Sequence, residues 1–323
     1  MASLVFGKDD GLKRVYVSLI NIILIKNFYL LTNYVSNFKL QFTLGINLSL
    51  QFTKMHGLGN DFVVIDAISQ RVDLSPEQMK FIADRHIGVG CDQLLLVEQS
   101  QSDEADFRYR IFNQDGSEVE QCGNGVRCFL KFVHDKGLTN KQSIVVETQS
   151  GLVKVGLESN KRVKVDMGKP RFEPADVPFD AQQRQTSYQL DLNGHDVEIG
   201  VVSVGNPHAV MLVDDIDTAL VDKVGPAVES HKRFPKRVNV GFMEIVDKQQ
   251  IRLRVYERGV GETRACGTGA CAATIIGQVW GLLDSKVNVS LPGGELLIEW
   301  QGQNHSVWMT GPAESVYEGQ ISL

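Results

Sequence analysis

One passage of this chain occurs twice. Residues 108–125, R-Y-R-I-F-N-Q-D-G-S-E-V-E-Q-C-G-N-G, align without a gap on residues 252–269, R-L-R-V-Y-E-R-G-V-G-E-T-R-A-C-G-T-G, at an offset of 144. Arg108/Arg252, Arg110/Arg254, Glu118/Glu262, Cys122/Cys266, Gly123/Gly267 and Gly125/Gly269 are identical pairs. Gly59-Asn60 and Gly205-Asn206 each precede an apolar run, and Gln93 and Asn239 each stand ahead of an apolar strand, both pairs at an offset of 146. A duplicated chain tends to fold as two similar halves facing each other. The expected halves are 50–165 and 166–310, with 311–323 returning to the first half and 1–49 an extension outside the fold.

Short β runs dominate each half. They are expected at 61–66, 93–98, 106–112, 143–149, 152–157 and 162–167, then at 196–204, 208–213, 239–246, 250–257, 286–291, 295–300 and 305–310. Ser75-Pro76-Glu77-Gln78 reads as a capping box with proline at the first helical position, which predicts a helix over 76–85. Further helices are predicted at 124–136, stopped by Gly137, and at 268–280, stopped by Gly281. The last of these carries no charge, and a helix apolar all round is a buried one. The expected class is therefore α+β (mixed α/β): two pseudo-symmetric halves, each a curved sheet wrapped around one central helix.

A net charge of −6 and a pI near 5.7 give no reason to expect nucleic acid or an acidic membrane surface as partner. The five cysteines, an odd and sparse set, do not form a secreted disulfide framework. Their spacing is not C-x-x-C, and no histidine stands nearby at ligand distance, so no metal is expected. Tyr16–Leu31 is apolar but interrupted by Asn21, Lys26 and Asn27, which is short and broken for a membrane span.

Cys122 and Cys266 each fall just before a helix, where unpaired backbone N–H groups and about half a positive charge favour a thiolate. The same groups cradle a carboxylate, and the flanking glycines admit a ligand close to the backbone. Two such thiols facing one amino acid would remove the α-proton from one face and return a proton to the other. Preorganised backbone donors would stabilise the dianionic carboxylate formed on the way. No pyridoxal-binding lysine can be picked out, so the expected reaction is cofactor-independent. Cys128 and Cys271, inside their helices, and Cys91 read as core residues.

The chain resembles the diaminopimelate epimerase family. The matching stretches are K-M-H-G-L-G-N-D-F (54–62), G-x-G-C-D-Q (88–93), F-N-x-D-G-S-E (112–118), C-G-N-G-x-R-C (122–128), G-N-P-H (205–208), R-V-N-V (237–240), Y-E-R-G-x-G-E-T-x-A-C-G-T-G (256–269) and G-P-A (311–313). The resemblance implies interconversion of LL- and meso-diaminopimelate, without cofactor, by a cytoplasmic homodimer. It implies Cys122 and Cys266 as the acid/base pair, assisted by His208 and Glu257. It implies substrate binding by Asn60, Gln93, Asn113, Asn124, Asn206, Asn239, Glu257 and Arg258, with backbone groups of Gly123, Gly267 and Thr268. A set of amides with one Arg and one Glu suits a substrate with two carboxylates and two ammonium groups, and Arg258 is of the type that grips a carboxylate in a fork. Proline or hydroxyproline racemases, phenazine-type isomerases and a non-catalytic amino-acid-binding protein are the alternatives, to be separated by substrate and by the need for the thiols.

Overall fold

The computed structural model describes residues 49–119, 123–192 and 194–323. Leu50–Ile321 forms one compact unit. The expectations for residues 1–48 and for Cys122 lie outside the described residues.

The first half contains β1 (Ser49–Gly57), β2 (Asn60–Asp66), α1 (Pro76–Ala83), β3 (Gln93–Gln99), β4 (Phe107–Asn113), β5 (Glu118–Val119), α2 (Gly123–Asp135), β6 (Ser143–Thr148), β7 (Gly151–Leu157) and β8 (Val163–Asp166). The second contains β9 (Tyr188–Asp191), β10 (Asp196–Ser203), β11 (Pro207–Leu212), α3 (Val221–Glu229), β12 (Asn239–Asp247), β13 (Gln250–Glu257), β14 (Gly261–Thr263), α4 (Gly267–Val279), β15 (Lys286–Leu291), β16 (Gly294–Trp300) and β17 (Val307–Gly311). The last strand is β18 (Glu314–Ser322), which pairs with β1.

The duplication is carried into the pairing pattern. In the first half β1–β2 is antiparallel, β2–β3 parallel, β3–β4 antiparallel and β4–β6 parallel, and β6–β7–β8 is an antiparallel meander. In the second, β10–β11, β11–β12, β12–β13, β13–β15 and β15–β16–β17 repeat that series with the same directions. The two meanders then join: β8 pairs antiparallel with β17, Val165 opposite Met309 and Val163 opposite Gly311. Even side-chain pairs repeat. Arg110 holds Glu118 in a bidentate fork at 2.9 and 2.7 Å, and Arg254 holds Glu262 at 2.6 and 2.8 Å.

Each central helix packs against the strands of its own half: α2 against β2, β3, β4, β7 and β8, and α4 against β10 to β13 and β15 to β17. Val126, Phe129, Leu130 and Val133 of α2 share one buried cluster with Ala270, Ala273, Ile275 and Ile276 of α4. The uncharged sequence of α4 is explained by this, because Gly267 and every residue from Gly269 to Gly277 are buried. Both helices stop where expected. Gly137 and Gly281 take positive φ of 68° and 74°, a conformation that glycine adopts at little cost. The capping box at Ser75 is also present, with Gln78 N–H donating to Ser75 Oγ at 3.3 Å and Ser75 N–H to Gln78 Oε1 at 2.9 Å.

Six elements escaped the sequence reading: β1, β5, β9, β14, β18 and α3. Helix α3 has Leu220 as its N-cap, with no side-chain cap, and contains Pro226, so it carries neither start signal nor unbroken helical pattern. It closes a second buried cluster around Val221, Val228, Ile216 and Phe242. No helix among the described residues is long and apolar enough to cross a membrane.

Candidate active site

The starts of α2 and α4 open on one cleft of about 1230 Å³. Gly123, Asn124, Cys266, Gly267 and Thr268 all line it. The approach is close because the first residue of each helix is glycine. A Cβ built on Gly123 would lie 3.0 Å from Met309 Cε, and one on Gly267 2.9 Å from Met309 Sδ. Met309 lies on β17, the strand that joins the halves, so the seam between the lobes runs under both helix starts.

Cys266 is the N-cap of α4, in extended conformation. Its Sγ accepts from Gly269 N–H at 3.4 Å and lies 3.5 Å from Thr268 Oγ1. The side chain is almost wholly buried. Burial, then the charge of Glu257, raise the thiol well above the usual cysteine range; the contacts with Thr268 and Gly269 act in the other direction. The helix terminus was expected to favour thiolate at this position. Desolvation and a neighbouring carboxylate outweigh it, so in this state Cys266 is a thiol.

Glu257 ends β13 and lines the cleft. Burial pushes its carboxyl up, while hydrogen bonds from Thr263 and Cys266 act against that. Thr263 Oγ1 donates to Glu257 Oε1 at 2.5 Å. A carboxyl raised by burial beside a thiol raised by burial is a pair between which one proton can move.

The amides divide into those that face the cleft and one that does not. Asn124 Nδ2 donates to Asn60 Oδ1 at 3.3 Å and to the Ala265 carbonyl at 3.2 Å, so it bridges the halves beside Cys266. Asn60 in turn donates to Asp92 Oδ2 at 3.0 Å. Gln93 Nε2 donates to Asn113 Oδ1 at 3.1 Å, a cross-strand pair on β3 and β4. Asn60 and Asn206 follow glycines with φ of 87° and 89°, so the repeated Gly-Asn turn has one conformation in both halves. Asn60, Gln93, Asn113, Asn124 and Asn206 line the cleft. Asn239 is buried and committed to backbone: its Nδ2 donates to the Pro207 carbonyl at 2.9 Å, and its Oδ1 accepts from Arg258 N–H at 2.9 Å.

His208 and Arg258 also lie outside the cleft lining. His208 is buried, with Nε2 2.9 Å from Asn206 Oδ1 and Nδ1 unpartnered among the described residues. Burial, with the Arg258 charge adding to it, pushes the imidazole down to about 3, so it is neutral at physiological pH. Arg258 is exposed, and its guanidinium donates to the Lys236 carbonyl at 3.2 Å, so no carboxylate fork is aimed inward here.

A charged network on the cleft wall was not singled out from sequence. Lys54 Nζ contacts Asp61 Oδ2 at 2.6 Å and the Gly90 carbonyl. Arg85 reaches Asp61 at 2.7 and 3.0 Å and Asp92 at 2.7 Å. Burial works against ionisation of Asp61, but Arg85 and Lys54 overcome it and hold the carboxyl well below the usual range. The network fixes Asp92, which orients Asn60. The signal was available, since Lys54, Asp61 and Asp92 stand inside the quoted motifs.

The family model described as diaminopimelate epimerase matches residues 52–173 and 200–316. The chain belongs to the diaminopimelate epimerase family. It is 59% identical over 276 residues to the diaminopimelate epimerase of Nitrosospira multiformis, covering 85% of this chain and 99% of that one. It is 57% identical over 274 residues to that of Pseudomonas savastanoi, with coverage of 85% and 99%. Solved structures at lower identity share the fold. A hydroxyproline epimerase from Agrobacterium vitis superposes with a TM-score of 0.61 at 17% identity, over 85% of this chain and 93% of that one. A phenazine biosynthesis protein of the PhzF family from Bacillus anthracis gives 0.59 at 19%, with coverage of 85% and 99%. The family's two-lobed α+β architecture is the one described above.

Proposed function

We propose that this chain is a cofactor-independent isomerase that interconverts LL- and meso-diaminopimelate by two-base proton transfer, supplying lysine and cell-wall precursor synthesis. The observation that carries it is the convergence of both C-G-x-G turns on one cleft. Gly123 and Asn124 of the first turn and Cys266 to Thr268 of the second line the same space. Cys122 precedes Gly123 directly in sequence, and it is the second thiol of this mechanism.

The substrate carboxylate at the reacting carbon takes the N–H groups of the first helical turns, which have no intrahelical partner. One sulfur removes the α-proton as a thiolate. The opposite sulfur delivers its own proton to the other face, which inverts the centre and leaves the two sulfurs with exchanged protonation. Cys266, a thiol in the present state, is the donor of this cycle, and the reverse direction exchanges the roles. Glu257 receives or returns the Cys266 proton between turnovers. His208 is assigned the same service for the other thiol by the family resemblance alone, since in this state its imidazole is pushed down to about 3. The cleft amides of Asn60, Gln93, Asn113, Asn124 and Asn206 hold the ammonium and distal carboxylate groups. Asn239 shapes the Glu257–Gly259 turn by holding the Arg258 N–H, and Arg258 is the side chain this reading assigns to a substrate carboxylate. A cytoplasmic homodimer is part of this reading; a sedimentation mass near 35.8 kDa, that of one chain, would contradict the dimer.

The test is an epimerase assay on LL-diaminopimelate in deuterated water. Turnover with deuterium entering the α-position is expected, and Cys122→Ala and Cys266→Ala should each lower it by several orders of magnitude. Turnover of proline with none of diaminopimelate, or near-wild-type rates in either variant, would refute it.

A further inference from the structure

Arg127 lies one turn into α2, and its side chain is completely buried, at 0% exposure. Side chains on a helix point back toward its N-terminus, and this one reaches the mouth of its own helix. Nη1 donates to the Gly123 carbonyl at 3.4 Å and lies 3.7 Å from Met309 Sδ. Nη2 donates to Asn124 Oδ1 at 2.8 Å, and Nε donates to the Pro312 carbonyl at 3.0 Å. Two glycines make room. A Cβ on Gly57 would lie 3.0 Å from Nη2, and one on Gly311 3.0 Å from Nε.

Two consequences reach the proton-transfer site. The first is geometric. Because Arg127 occupies Asn124 Oδ1, the Asn124 amide N–H groups must turn toward Asn60 Oδ1 and the Ala265 carbonyl. Ala265 adjoins Cys266, so the chain Arg127–Asn124–Ala265 ties the first helix start to the thiol of the second. The second is electrostatic. The guanidinium and the Cβ position of Gly267 both lie against Met309 Sδ, so a positive charge stands one thioether away from the start of α4. Its reach into α4 also shows at Cys271, where it opposes the burial that pushes this thiol up to about 12. An apolar side chain of equal volume would fill this space without the cost of burying a cation, so packing alone does not call for arginine.

We propose that Arg127 is a positioning residue of the epimerisation site, which aligns the two helix starts through Asn124 and favours the anions formed between them. This rests on the epimerase function proposed above.

The full-length chain would be compared with Arg127→Met and Arg127→Lys. The readouts are kcat and KM on diaminopimelate, the rate of Cys266 alkylation by iodoacetamide at pH 8.5 without substrate, and near-UV circular dichroism for folding. In Arg127→Met, kcat should fall about 100-fold, the order expected when a preorganised donor set is lost, with KM changed far less. Cys266 alkylation should slow about tenfold, because the thiolate loses the nearby cation. Arg127→Lys keeps the charge and loses the fork, so alkylation should stay near wild type while kcat falls about tenfold. A folded Arg127→Met with wild-type kcat or alkylation rate would overturn the proposal, as would a lysine variant identical to the methionine one. If Arg127→Met does not fold, the lysine variant decides alone, and wild-type kcat or failure to fold in that variant would also overturn it. A wild-type chain inactive on diaminopimelate would sink the epimerase function instead, leaving the alkylation rates to judge Arg127.

Discussion

Burial of neutral His208 makes the stability of this fold acid-sensitive in a defined window. The imidazole is pushed down from its ordinary 6.5 to about 3 in the folded protein. The folded value is the depressed one, so the contribution is fully present above pH 6.5. It is lost as pH falls toward 3, because the unfolded chain binds the proton and the folded one does not. Each unit of difference is worth about 1.4 kcal/mol. At pH 5 the unfolded histidine is almost fully protonated, which gives a loss of about 2 kcal/mol relative to pH 7.5. Glu257, whose carboxyl is raised, works in the opposite sense over part of this range, so wild type alone does not isolate the effect. His208→Gln retains a neutral donor for Asn206 and removes the titration. Urea unfolding of both proteins at pH 7.5, 6.5, 5.5 and 5.0 should show the wild-type excess in stability shrinking by about 2 kcal/mol toward pH 5. Parallel stability curves would mean that the imidazole is solvated or already paired, and would refute the reasoning.

Thr263→Val removes the hydroxyl that donates to Glu257, so the Glu257 carboxyl should rise further and the acid limb of kcat/KM should move to higher pH; an unmoved limb would exclude Glu257 from the titrating machinery. Gly267→Ala places a methyl group 2.9 Å from Met309 Sδ, and overpacking should cost ~1–3 kcal/mol by chemical denaturation, with a neutral result counting against the tight seam under the helix starts. Ser75→Ala deletes the N-cap of α1 and should cost about 1 kcal/mol without changing kcat, so a loss of activity would show that α1 does more than scaffold the Lys54–Asp61–Arg85–Asp92 wall.

Much of the fold was legible in the sequence because its strongest signals are local. Short apolar or alternating runs gave the strands from β2 to β4 and from β10 to β13, a proline-led capping box gave α1, and terminal glycines ended α2 and α4. Strands β1 and β9 do alternate, with Leu50 and Phe52, then Tyr188 and Leu190, buried, and were missed despite that signal; the other missed elements lack one. Strand β18 is exposed or half-exposed at every position and shows no regular alternation, β5 and β14 span two and three residues, and α3 has an uncapped start and an internal proline. Of the described site residues, Gly123, Asn124, Cys266, Gly267 and Thr268 on the two C-G-x-G turns line the cleft. His208, Asn239 and Arg258 belong to the layer behind it or to the surface.

The sequence by itself determined that two similar lobes exist, that a cysteine precedes a helix in each, and that glycine flanks each of those cysteines. Repeats, periodicities and turn residues are properties of neighbouring positions, and they survive in a linear string. Only the tertiary structure decided that Glu257 confronts Cys266, that Asn124 spans the lobes, and that Arg127 lies buried beneath them. Those outcomes depend on desolvation and on hydrogen bonds between residues as many as 185 positions apart, as in the bond from Arg127 to Pro312, and no local pattern encodes them.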